Sequence, residues 1–504
     1  MSVKQLNTSA IDLPVAVSVP SASTAETESC TQAVEAVVES PKPAEMKGTQ
    51  KRLFRESVWV VGGRLLGIAT AIGLNVVLVR VLPPADVGVF FVLGSIITFA
   101  AIVAMFGMHT ALVRFVSERI GVGDARGAAA ALKQGTKLAI FAITIGSLLS
   151  AGFLYVAGEP LFGLQHLEVI APLVALSVFG AAAIQLCASL LRSFHDSRFS
   201  ILLTGQFGGP LCNLLFIGLT IGLSLFVVMS LQQVMLFCAI SLCVLTPIAV
   251  IVLYRVGKAR LREIDSNDQV TEALPMSVLM VACLPLMLAQ SLSYITGQAD
   301  IWIGGAIVNH DELALYGAAR RLMLLIGMPM QLVNLTVIAS IAELRAQGRL
   351  DDLQRILRFA ATLAALAAFA VCIPLLLFPA QITSFIFGEY YADGALVLRI
   401  LCVGQLVFVS AGAAELTLMM SGEHMKALWI NVLTSIALLL SGVLLTAEWG
   451  IVGLAIACAS IISLQCIGFC LYARRSVGVW TILDLRVLTS LPDILRNTVG
   501  KLAK

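Results

Sequence analysis

Charged residues are scarce in this chain. Only 12% of its 504 residues are Asp, Glu, Lys or Arg, whereas 59% are hydrophobic, and the mean hydropathy is +0.95. Soluble globular proteins contain about 25% charged residues, so this composition excludes a soluble protein and predicts an all-α integral membrane protein. The net charge of +3 is too small to indicate a nucleic-acid partner.

Motifs that bind cofactors or carry out catalysis are also missing. The sequence contains no GxxxxGK[ST] phosphate-binding loop, no Cys/His metal spacing, and no Ser/His/Asp or Cys/His set in an ordered loop. Ten of the eleven cysteines lie in apolar stretches and one, Cys30, does not, so a disulfide framework is not expected. These absences predict a protein that is not an enzyme and that has no metal or cofactor.

Long apolar stretches recur along the chain, each about as long as the ~20 residues that cross a bilayer. Six of them lie in the first half, at 57–79, 87–111, 135–157, 169–191, 200–222 and 234–254. Six more lie in the second half, at 277–298, 313–341, 359–379, 396–419, 427–447 and 451–472. The sequence therefore predicts about 12 transmembrane helices.

Basic residues gather in alternate loops. The loops on the side of residue 1 carry most of the Lys and Arg, for example Arg52, Arg126 and Arg349, whereas the opposite loops carry acids such as Glu159 and Glu389. An error of one helix in the count would scramble this alternation. By the positive-inside rule, both termini are predicted to be cytoplasmic.

The spans divide the chain into five segments. They are a disordered cytoplasmic tail at 1–50, an N-terminal six-helix bundle at 51–255, a cytoplasmic linker at 256–276, a C-terminal six-helix bundle at 277–475, and a cytoplasmic or interfacial tail at 476–504. The last tail alternates apolar and polar residues, a pattern that fits either an interfacial amphipathic helix or a solvated segment.

The two halves share a layout. Around Asp86 the chain reads PADVGVFFVLG, and around Glu312 it reads HDELALYGAAR, each a short acidic loop followed by an apolar run with an aromatic residue. Each run ends in a polar segment, ERIGVGDARGAAAAL in the first half and ELRAQGRLDDLQRIL in the second. The same order of features in both halves indicates that they are related.

Polar residues inside the eighth predicted span form a seam. A step of 100° per residue places Arg320 on the same face as Tyr316, Gln331 and Asn334, and directs Arg321 away from that face. A charged helix face in contact with lipid is energetically unfavourable, so this face is predicted to line a cavity. Arg321 is expected to reach the interface or a carboxylate in a loop.

Two other spans carry candidates for the same cavity. Arg64 and Asn75 share one face of the first helix, and Gln290 and Tyr294 share one face of the seventh. Polar seams also hold helices together in membranes, and the Arg64 side chain could extend to the interface. Packing alone is therefore an alternative for each residue.

Two carboxylates are candidates for coupling transport to an ion. Asp300 lies near the outer end of the seventh helix, and Glu415 lies in the tenth, where the sequence identifies no partner for it. Ionisable residues inside membrane spans are rare and often belong to proton relays. A coupling role is therefore an interpretation to be weighed for both.

Two stretches resemble bacterial polysaccharide-biosynthesis export proteins. The first is GGRLLGIATAIGLNVVLVRVLPPADVGVFFVLGSIITF followed by HTALVRFVSE, and the second is ADIWIGGAIV followed by ELALYGAARRLMLLIGMPMQL. This is the O-antigen flippase branch of the superfamily that also contains multidrug and toxin extrusion proteins and lipid II flippases. The resemblance spans about residues 52–475 and implies 12 helices in two six-helix bundles around a central cavity that works by alternating access.

The resemblance also implies a substrate. It is an undecaprenyl-pyrophosphate-linked oligosaccharide, moved across the bacterial inner membrane for the assembly of O-antigen, capsule or exopolysaccharide. Membrane lipids, a polysaccharide polymerase and glycosyltransferases are the implied partners. Cavity arginines of lipid II flippases lie on the first and eighth helices, and Arg64 and Arg320 are similar in kind and place. Arginine suits a pyrophosphate because its planar fork binds phosphate oxygens with two hydrogen bonds.

Three other functions are weighed against this one. A cation-coupled multidrug exporter would need buried carboxylates in the N-terminal bundle, and the sequence has none deep in the first six spans. A membrane polysaccharide polymerase or ligase generally carries its chemistry in a large outer loop, whereas every outer loop predicted here is short. A purely structural scaffold would not need an arginine seam.

Overall fold

A computed structural model describes residues 43–194, 196–263, 276–347 and 349–484. Fifteen α-helices make up nearly all of this part of the chain, which contains no β-strand. In chain order they are α1 (Pro43–Val81), α2 (Pro84–Ala104), α3 (Met108–Gly121), α4 (Ala125–Phe162), α5 (Leu167–Ser193), α6 (Ser197–Leu203), α7 (Gly209–Ser224), α8 (Leu231–Glu263), α9 (Met276–Ile307), α10 (His310–Ala346), α11 (Leu350–Leu377), α12 (Pro379–Phe387), α13 (Ala395–Ala411), α14 (Ala414–Met420) and α15 (His424–Val477).

The predicted all-α membrane class is confirmed. Within the described residues, nine helices are long and apolar enough to cross a membrane. Only α2 and α10 have more than half of their apolar window buried, so the other helices leave apolar side chains partly or fully exposed, where lipid would cover them. The count of 12 transmembrane helices stays a prediction.

Local sequence signals mark where several helices begin and end. Proline occupies the first position of α2, where its missing N–H costs nothing. The Asp124 carboxylate accepts a hydrogen bond from the backbone N–H of Gly127 at 2.7 Å and caps the start of α4. Gly163 ends α4 in the left-handed conformation that glycine adopts most easily.

Three predicted spans are interrupted. The span at 87–111 breaks between α2 and α3, where Phe106 and Gly107 both have positive φ angles. The span at 200–222 breaks between α6 and α7, around a glycine-rich turn, and the span at 396–419 breaks at Gly412. Backbone groups freed by such breaks need partners inside the protein, because lipid offers none.

The last apolar stretch folds back on itself. It is 53 residues long, far more than the about 20 residues that cross a bilayer. The backbone of Gly450 leaves the helical region, with φ 56° and ψ −141°. The two arms then run antiparallel, since Lys426 bonds Ser476 at 3.1 Å and Gln465 bonds Asn431 at 2.7 Å. The predicted spans 427–447 and 451–472 correspond to these two arms.

The segment after α15 is tied to the interrupted helix pair α13 and α14. The Thr481 hydroxyl donates to the carbonyl of Ala411 at 2.9 Å, and the backbone N–H of Leu483 donates to Ser410 at 3.1 Å. These are carbonyls that the break at Gly412 removes from the helical pattern. Residues 478–484 are non-helical, and the character of the whole predicted tail at 476–504 stays a prediction.

The chain divides into two units, Met1–Ser57 and Val58–Lys504. Of the first unit, the structure describes only the part from Pro43 onward, which is helical. The predicted tail at 1–50 stays a prediction, and its residues 1–42 lie outside the described part. Helix α8 continues to Glu263, inside the predicted linker at 256–276, whose bounds also stay a prediction. Residues 264–275 and 485–504 lie outside the described part. The division into two six-helix bundles stays a prediction.

Helices α2 and α10, at equivalent places in the two related sequence stretches, pack against each other. The approach is close at Gly317, where an added Cβ would lie 2.2 Å from the ring of Phe91. Tyr316 beside it is fully buried. Contacts from α2 also reach α9, since the indole of Trp302 donates to the Ser95 hydroxyl at 2.8 Å. The α2–α10 contact thus joins the first half of the chain to the second.

The fold-back at Gly450 gives a stability prediction. Replacing Gly450 with Ala is expected to cost about 1–3 kcal/mol, because a side chain at this φ and ψ strains the backbone. Gly218→Ala is the matched control, since nothing lies within 4 Å of an added Cβ in that helix, and it should be neutral or slightly stabilising. Thermal unfolding of the purified protein in detergent measures both; equal melting temperatures for Gly450→Ala and the wild type would contradict the fold-back geometry.

Candidate functional site

A cavity of about 610 Å³ opens between α1, the end of α5, the α6–α7 break and α10. Glycines and small residues along α1 and at the α6–α7 break form much of its wall. Its polar lining consists of Arg64, Asn75, Arg192, Ser200, Thr204, Asn213, Arg321, Gln331 and Asn334. It is the candidate site because polar side chains from both halves of the chain meet in it.

Three arginines give the cavity its charge. Arg64 extends from α1, Arg192 from the last turn of α5, and Arg321 from α10. Arg64 is close enough to Arg192 for the two positive charges to repel each other. None of the described residues that line the cavity is Asp or Glu. The site is therefore a concentrated positive potential that an anion would neutralise.

The three arginines differ in their contacts with the rest of the protein. Arg192 donates to the Ser189 hydroxyl at 2.8 Å, one turn back on α5. The Arg321 guanidinium lies over the ring of Phe91, with its central carbon 5.6 Å from the ring centroid. Arg64 is exposed and forms no ion pair or hydrogen bond with the described residues. Arg64 and Arg192 thus leave donor groups available to a ligand.

Side-chain amides supply the rest of the polar surface. Asn75 donates to the carbonyl of Ala71 at 2.6 Å. The carbonyl oxygens of Asn213 and Asn334 are buried without a hydrogen-bond partner. Buried polar atoms are nearly always hydrogen-bonded, so these two oxygens are acceptors that a hydroxyl-rich ligand could satisfy.

The structure reverses the expected positions of the two neighbouring arginines. Arg321, predicted to point away from the cavity, lines it. Arg320, predicted to face the cavity, is 8% exposed and turns into the protein. The reason is the partner of Arg320 on α9, since Asp300 and the carbonyl of Gly297 hold its guanidinium inside the protein. A helical wheel of α10 alone does not reveal a partner on another helix.

Arg320 belongs to a buried ion pair. Its guanidinium bonds the Asp300 carboxylate at 2.5 Å and also donates to the backbone carbonyl of Gly297. The Tyr316 hydroxyl donates to the same carboxylate at 2.7 Å. The Asp300 carboxylate is therefore paired, since the Arg320 guanidinium and the Tyr316 hydroxyl, both in the second half of the chain, bond to it.

The other predicted residues lie at two separate places. Gln290 donates to the Thr110 hydroxyl at 2.9 Å and Tyr294 donates to the carbonyl of Ser95 at 3.2 Å, so both link α9 to the first half rather than line the cavity. Glu415 does have a partner, since it accepts from the Asn431 amide at 3.1 Å. Of the predicted cavity residues, the structure brings together Arg64, Asn75, Gln331 and Asn334.

Sequence reasoning missed Arg192 and Asn213. Arg192 had been counted only as a cytoplasmic loop charge, and Asn213 stood in a predicted span without a polar neighbour. One signal was available, the glycine cluster at 205–209. Irregular backbone at membrane depth occurs only where it is buried in protein or lines a cavity, and here it forms the wall beside Asn213.

Comparisons with known proteins agree on the family and the fold. A family model described as polysaccharide biosynthesis protein matches residues 53–341. The structure of the lipid II flippase MurJ in an inward closed conformation is 13% identical, with a TM-score of 0.62, and the match covers 90% of this chain and 93% of that one. No curated protein matches the chain in sequence.

Two further structures are similar. An inward-facing multidrug resistance MATE family transporter of the MOP superfamily is 16% identical, with a TM-score of 0.61, and the match covers 84% of this chain and 98% of that one. A MOP superfamily transporter from Pyrococcus furiosus, described as having a binding pocket of reverse polarity, is 17% identical, with a TM-score of 0.53 and coverage of 84% and 95%. At these identities the likeness establishes the fold alone.

The Arg320–Asp300 pair gives a prediction that separates structural from ligand-binding arginines. Asp300→Ala alone should destabilise the protein by about 3–5 kcal/mol, because it leaves a buried charge without its partner. The double variant Asp300→Asn with Arg320→Gln should recover part of that loss. Tyr316→Phe removes one hydrogen bond to the same carboxylate and should cost about 1.5–3 kcal/mol.

Melting curves of the detergent-purified variants measure these effects. Arg64→Ala is the control, since Arg64 is exposed in the cavity and its loss should leave the melting temperature nearly unchanged. A double variant less stable than Asp300→Ala would contradict the pairing.

Proposed function

This chain belongs to the polysaccharide biosynthesis protein family, and we propose that it moves a lipid-linked oligosaccharide across the bacterial inner membrane. The proposed substrate is an undecaprenyl-pyrophosphate-linked oligosaccharide unit for O-antigen, capsule or exopolysaccharide assembly. The fold is that of multi-pass membrane transporters and flippases. Alternating access, in which the cavity opens first to one side and then to the other, is the proposed mechanism.

One observation carries the proposal. Arg64, Arg192 and Arg321 converge on one cavity whose described lining contains no carboxylate. A pyrophosphate that leaves water and lipid headgroups loses favourable solvation, and a cluster of guanidinium groups replaces it with charge-assisted hydrogen bonds. The repulsion between Arg64 and Arg192 also favours binding, since a diphosphate between them would relieve it.

The cavity and the helix surface beside it could also accommodate the sugar and lipid parts of the substrate. Sugar hydroxyls could donate to the unpartnered carbonyl oxygens of Asn213 and Asn334. The apolar side of α1 exposes Leu65 and Leu66 to the surrounding bilayer. A polyprenyl chain could therefore stay in lipid beside α1 while the charged head occupies the cavity. A polysaccharide polymerase and glycosyltransferases are the proposed partners in the same assembly.

Asp300 and Glu415 are still proposed to couple transport to an ion, but the bonds that each carboxylate forms limit how it could do so. Asp300 could take part only by exchanging its bond to Arg320 for a proton, since the two form a buried pair. Glu415 is exposed and bonds Asn431, which also accepts from Gln465. Glu415 is thus the more accessible of the two carboxylates.

A cation-coupled multidrug exporter is the second candidate, because MATE transporters are among the structures with the same fold. Its substrates would be cations, and three arginines in the cavity would repel them. A polymerase or ligase has less support, since the family and the similar structures are transporters or flippases.

Charge removal in the cavity tests the proposal. Alanine in place of Arg64, Arg192 or Arg321 should weaken binding of a short-chain polyprenyl pyrophosphate about tenfold to a hundredfold, since each removes charge-assisted hydrogen bonds of about 1.5–3 kcal/mol. Lysine at the same positions should be intermediate, because it keeps the charge and loses the planar fork. Titration calorimetry measures the binding, and appearance of labelled oligosaccharide on the far side of liposomes measures transport.

Arg355→Ala is the matched control. That side chain is 79% exposed and pairs only with Asp352 one turn away, so its loss should change neither measurement. Unchanged binding in all three cavity variants would refute the pyrophosphate site. Stronger export of cationic dyes by these variants would instead favour the drug-exporter alternative.

Orientation is tested separately. We infer that both termini lie on the cytoplasmic side, because basic residues follow the positive-inside pattern. Alkaline phosphatase inserted in the turn between α4 and α5 should be active, since that turn would face the periplasm. The same insertion between α3 and α4 should be inactive, and the reverse pattern would overturn the orientation.

A further inference from the structure

An exposed tryptophan and an exposed arginine lie about one helical turn beyond the cavity lining of α1 and α6. We propose that Trp59 and Arg198 form a sugar-binding subsite at the edge of the cavity, in which the indole packs against a sugar ring and the guanidinium donates to sugar hydroxyls. This inference rests on the proposed function, because it concerns the oligosaccharide part of the same substrate.

A close contact between α1 and α6 places this pair of side chains. A Cβ added to Gly63 would lie 2.5 Å from the Ile201 side chain, and both residues line the cavity. Trp59 precedes Gly63 by four residues and Arg198 precedes Ile201 by three, so each lies about one turn nearer the start of its helix. The guanidinium carbon of Arg198 is 5.8 Å from the centroid of the Trp59 ring. The two helices therefore also meet at this turn, directly beside the cavity.

Much of the indole surface is accessible. Trp59 is 48% exposed even though the Arg198 guanidinium lies over its ring. A cation within about 6 Å of a ring centroid is attracted to the face of the ring, so this contact orients both side chains. Arg198 is exposed and has no hydrogen bond or ion pair with the described residues. The pair thus offers an aromatic surface and guanidinium donors side by side.

Sugars have the chemistry that matches such a pair. A sugar ring presents C–H groups on its faces and hydroxyl groups around its edge. The C–H groups carry partial positive charge and pack on the negative face of an aromatic ring, while the hydroxyl oxygens accept hydrogen bonds from a guanidinium. Aromatic walls with a few polar groups that fix the orientation are also typical of sites for small ligands.

The separation from the arginine cluster fits a chain of sugars. Trp59 precedes Arg64 by five residues, which is about 7.5 Å along the helix axis. The cavity volume of about 610 Å³ lies within the roughly 300–1,000 Å³ of sites that enclose one drug-sized ligand. A pyrophosphate with several sugars therefore extends beyond it. With the pyrophosphate at Arg64 and Arg192, sugars that leave the cavity along α1 reach Trp59.

An interfacial anchor is the alternative role for Trp59, because tryptophans are enriched where helices cross the membrane–water interface. Trp429 on α15 matches that role. It is 68% exposed, it does not line the cavity, and no basic group among the described residues lies over its ring. Trp59 differs from it in having Arg198 and the cavity beside it, so Trp429 is the matched control.

Two probes of equal charge test the subsite. One is farnesyl methyl pyrophosphate, which has no sugar, and the other is farnesyl pyrophosphate linked to tri-N-acetylglucosamine. Titration calorimetry of the whole protein in lipid nanodiscs should show about fivefold tighter binding of the sugar conjugate, as expected for one aromatic contact. Trp59→Leu should reduce this ratio of affinities to about one, and Trp59→Phe and Arg198→Gln should each retain part of it. Trp429→Leu should keep the wild-type ratio.

Tryptophan fluorescence gives a second measurement. The sugar conjugate should change the emission of the wild type, and farnesyl methyl pyrophosphate should not. Trp59→Phe should lose this change, whereas Trp429→Phe should keep it. A change that persists in Trp59→Phe would place the sugar elsewhere and contradict the subsite.

The proposal is overturned if the wild type binds both probes equally, or if Trp59→Leu retains the wild-type ratio. Equal weakening of both probes by Trp59→Leu retains the ratio and would identify an interfacial anchor instead. The wild-type comparison decides the matter even if a variant fails to fold. Failure of the proposed function gives a different result, since then neither probe binds or Arg64→Ala leaves the binding of both unchanged.

Discussion

A charge or a free backbone group inside hydrocarbon must find a partner within the protein, and this requirement governs the structure. Arg320 satisfies it by bonding Asp300 and the carbonyl of Gly297. Arg321, the next residue along α10, satisfies it by turning toward the cavity and the ring of Phe91. One arginine therefore holds helices together while its neighbour faces the site, although the two have the same chemistry.

The same requirement explains the interrupted helices. The break at Gly412 frees carbonyls at Ser410 and Ala411, and the segment after α15 supplies their donors through Thr481 and Leu483. The break between α6 and α7 differs in its surroundings, because its glycines form a wall of the cavity. Irregular backbone at membrane depth is thus either bonded by another segment or located where a ligand and water can reach it.

Cationic groups have two uses in this arrangement. In the cavity, Arg64 and Arg192 repel each other, and an anion between them would relieve that repulsion. Arg80 instead donates to carbonyls at the C-terminus of α12, which satisfy its charge without an ion. A positive charge bonded within the protein holds helices together, whereas Arg64 and Arg192 face the cavity, where an anion could bind.

The sequence by itself determined the membrane class, the apolar stretches, the turn between the last two predicted spans and the family resemblance, because composition and periodicity depend on local chain properties. It also identified Arg64, Asn75, Gln331 and Asn334, which the structure brings to one cavity. Only the tertiary structure decided between Arg320 and Arg321, since the carboxylate that holds Arg320 lies on another helix, at Asp300 of α9. It alone added Arg192 and Asn213, and it moved Gln290 and Tyr294 to the contact between halves. Those outcomes depend on which helix lies beside which, and residues far apart in the chain fix that.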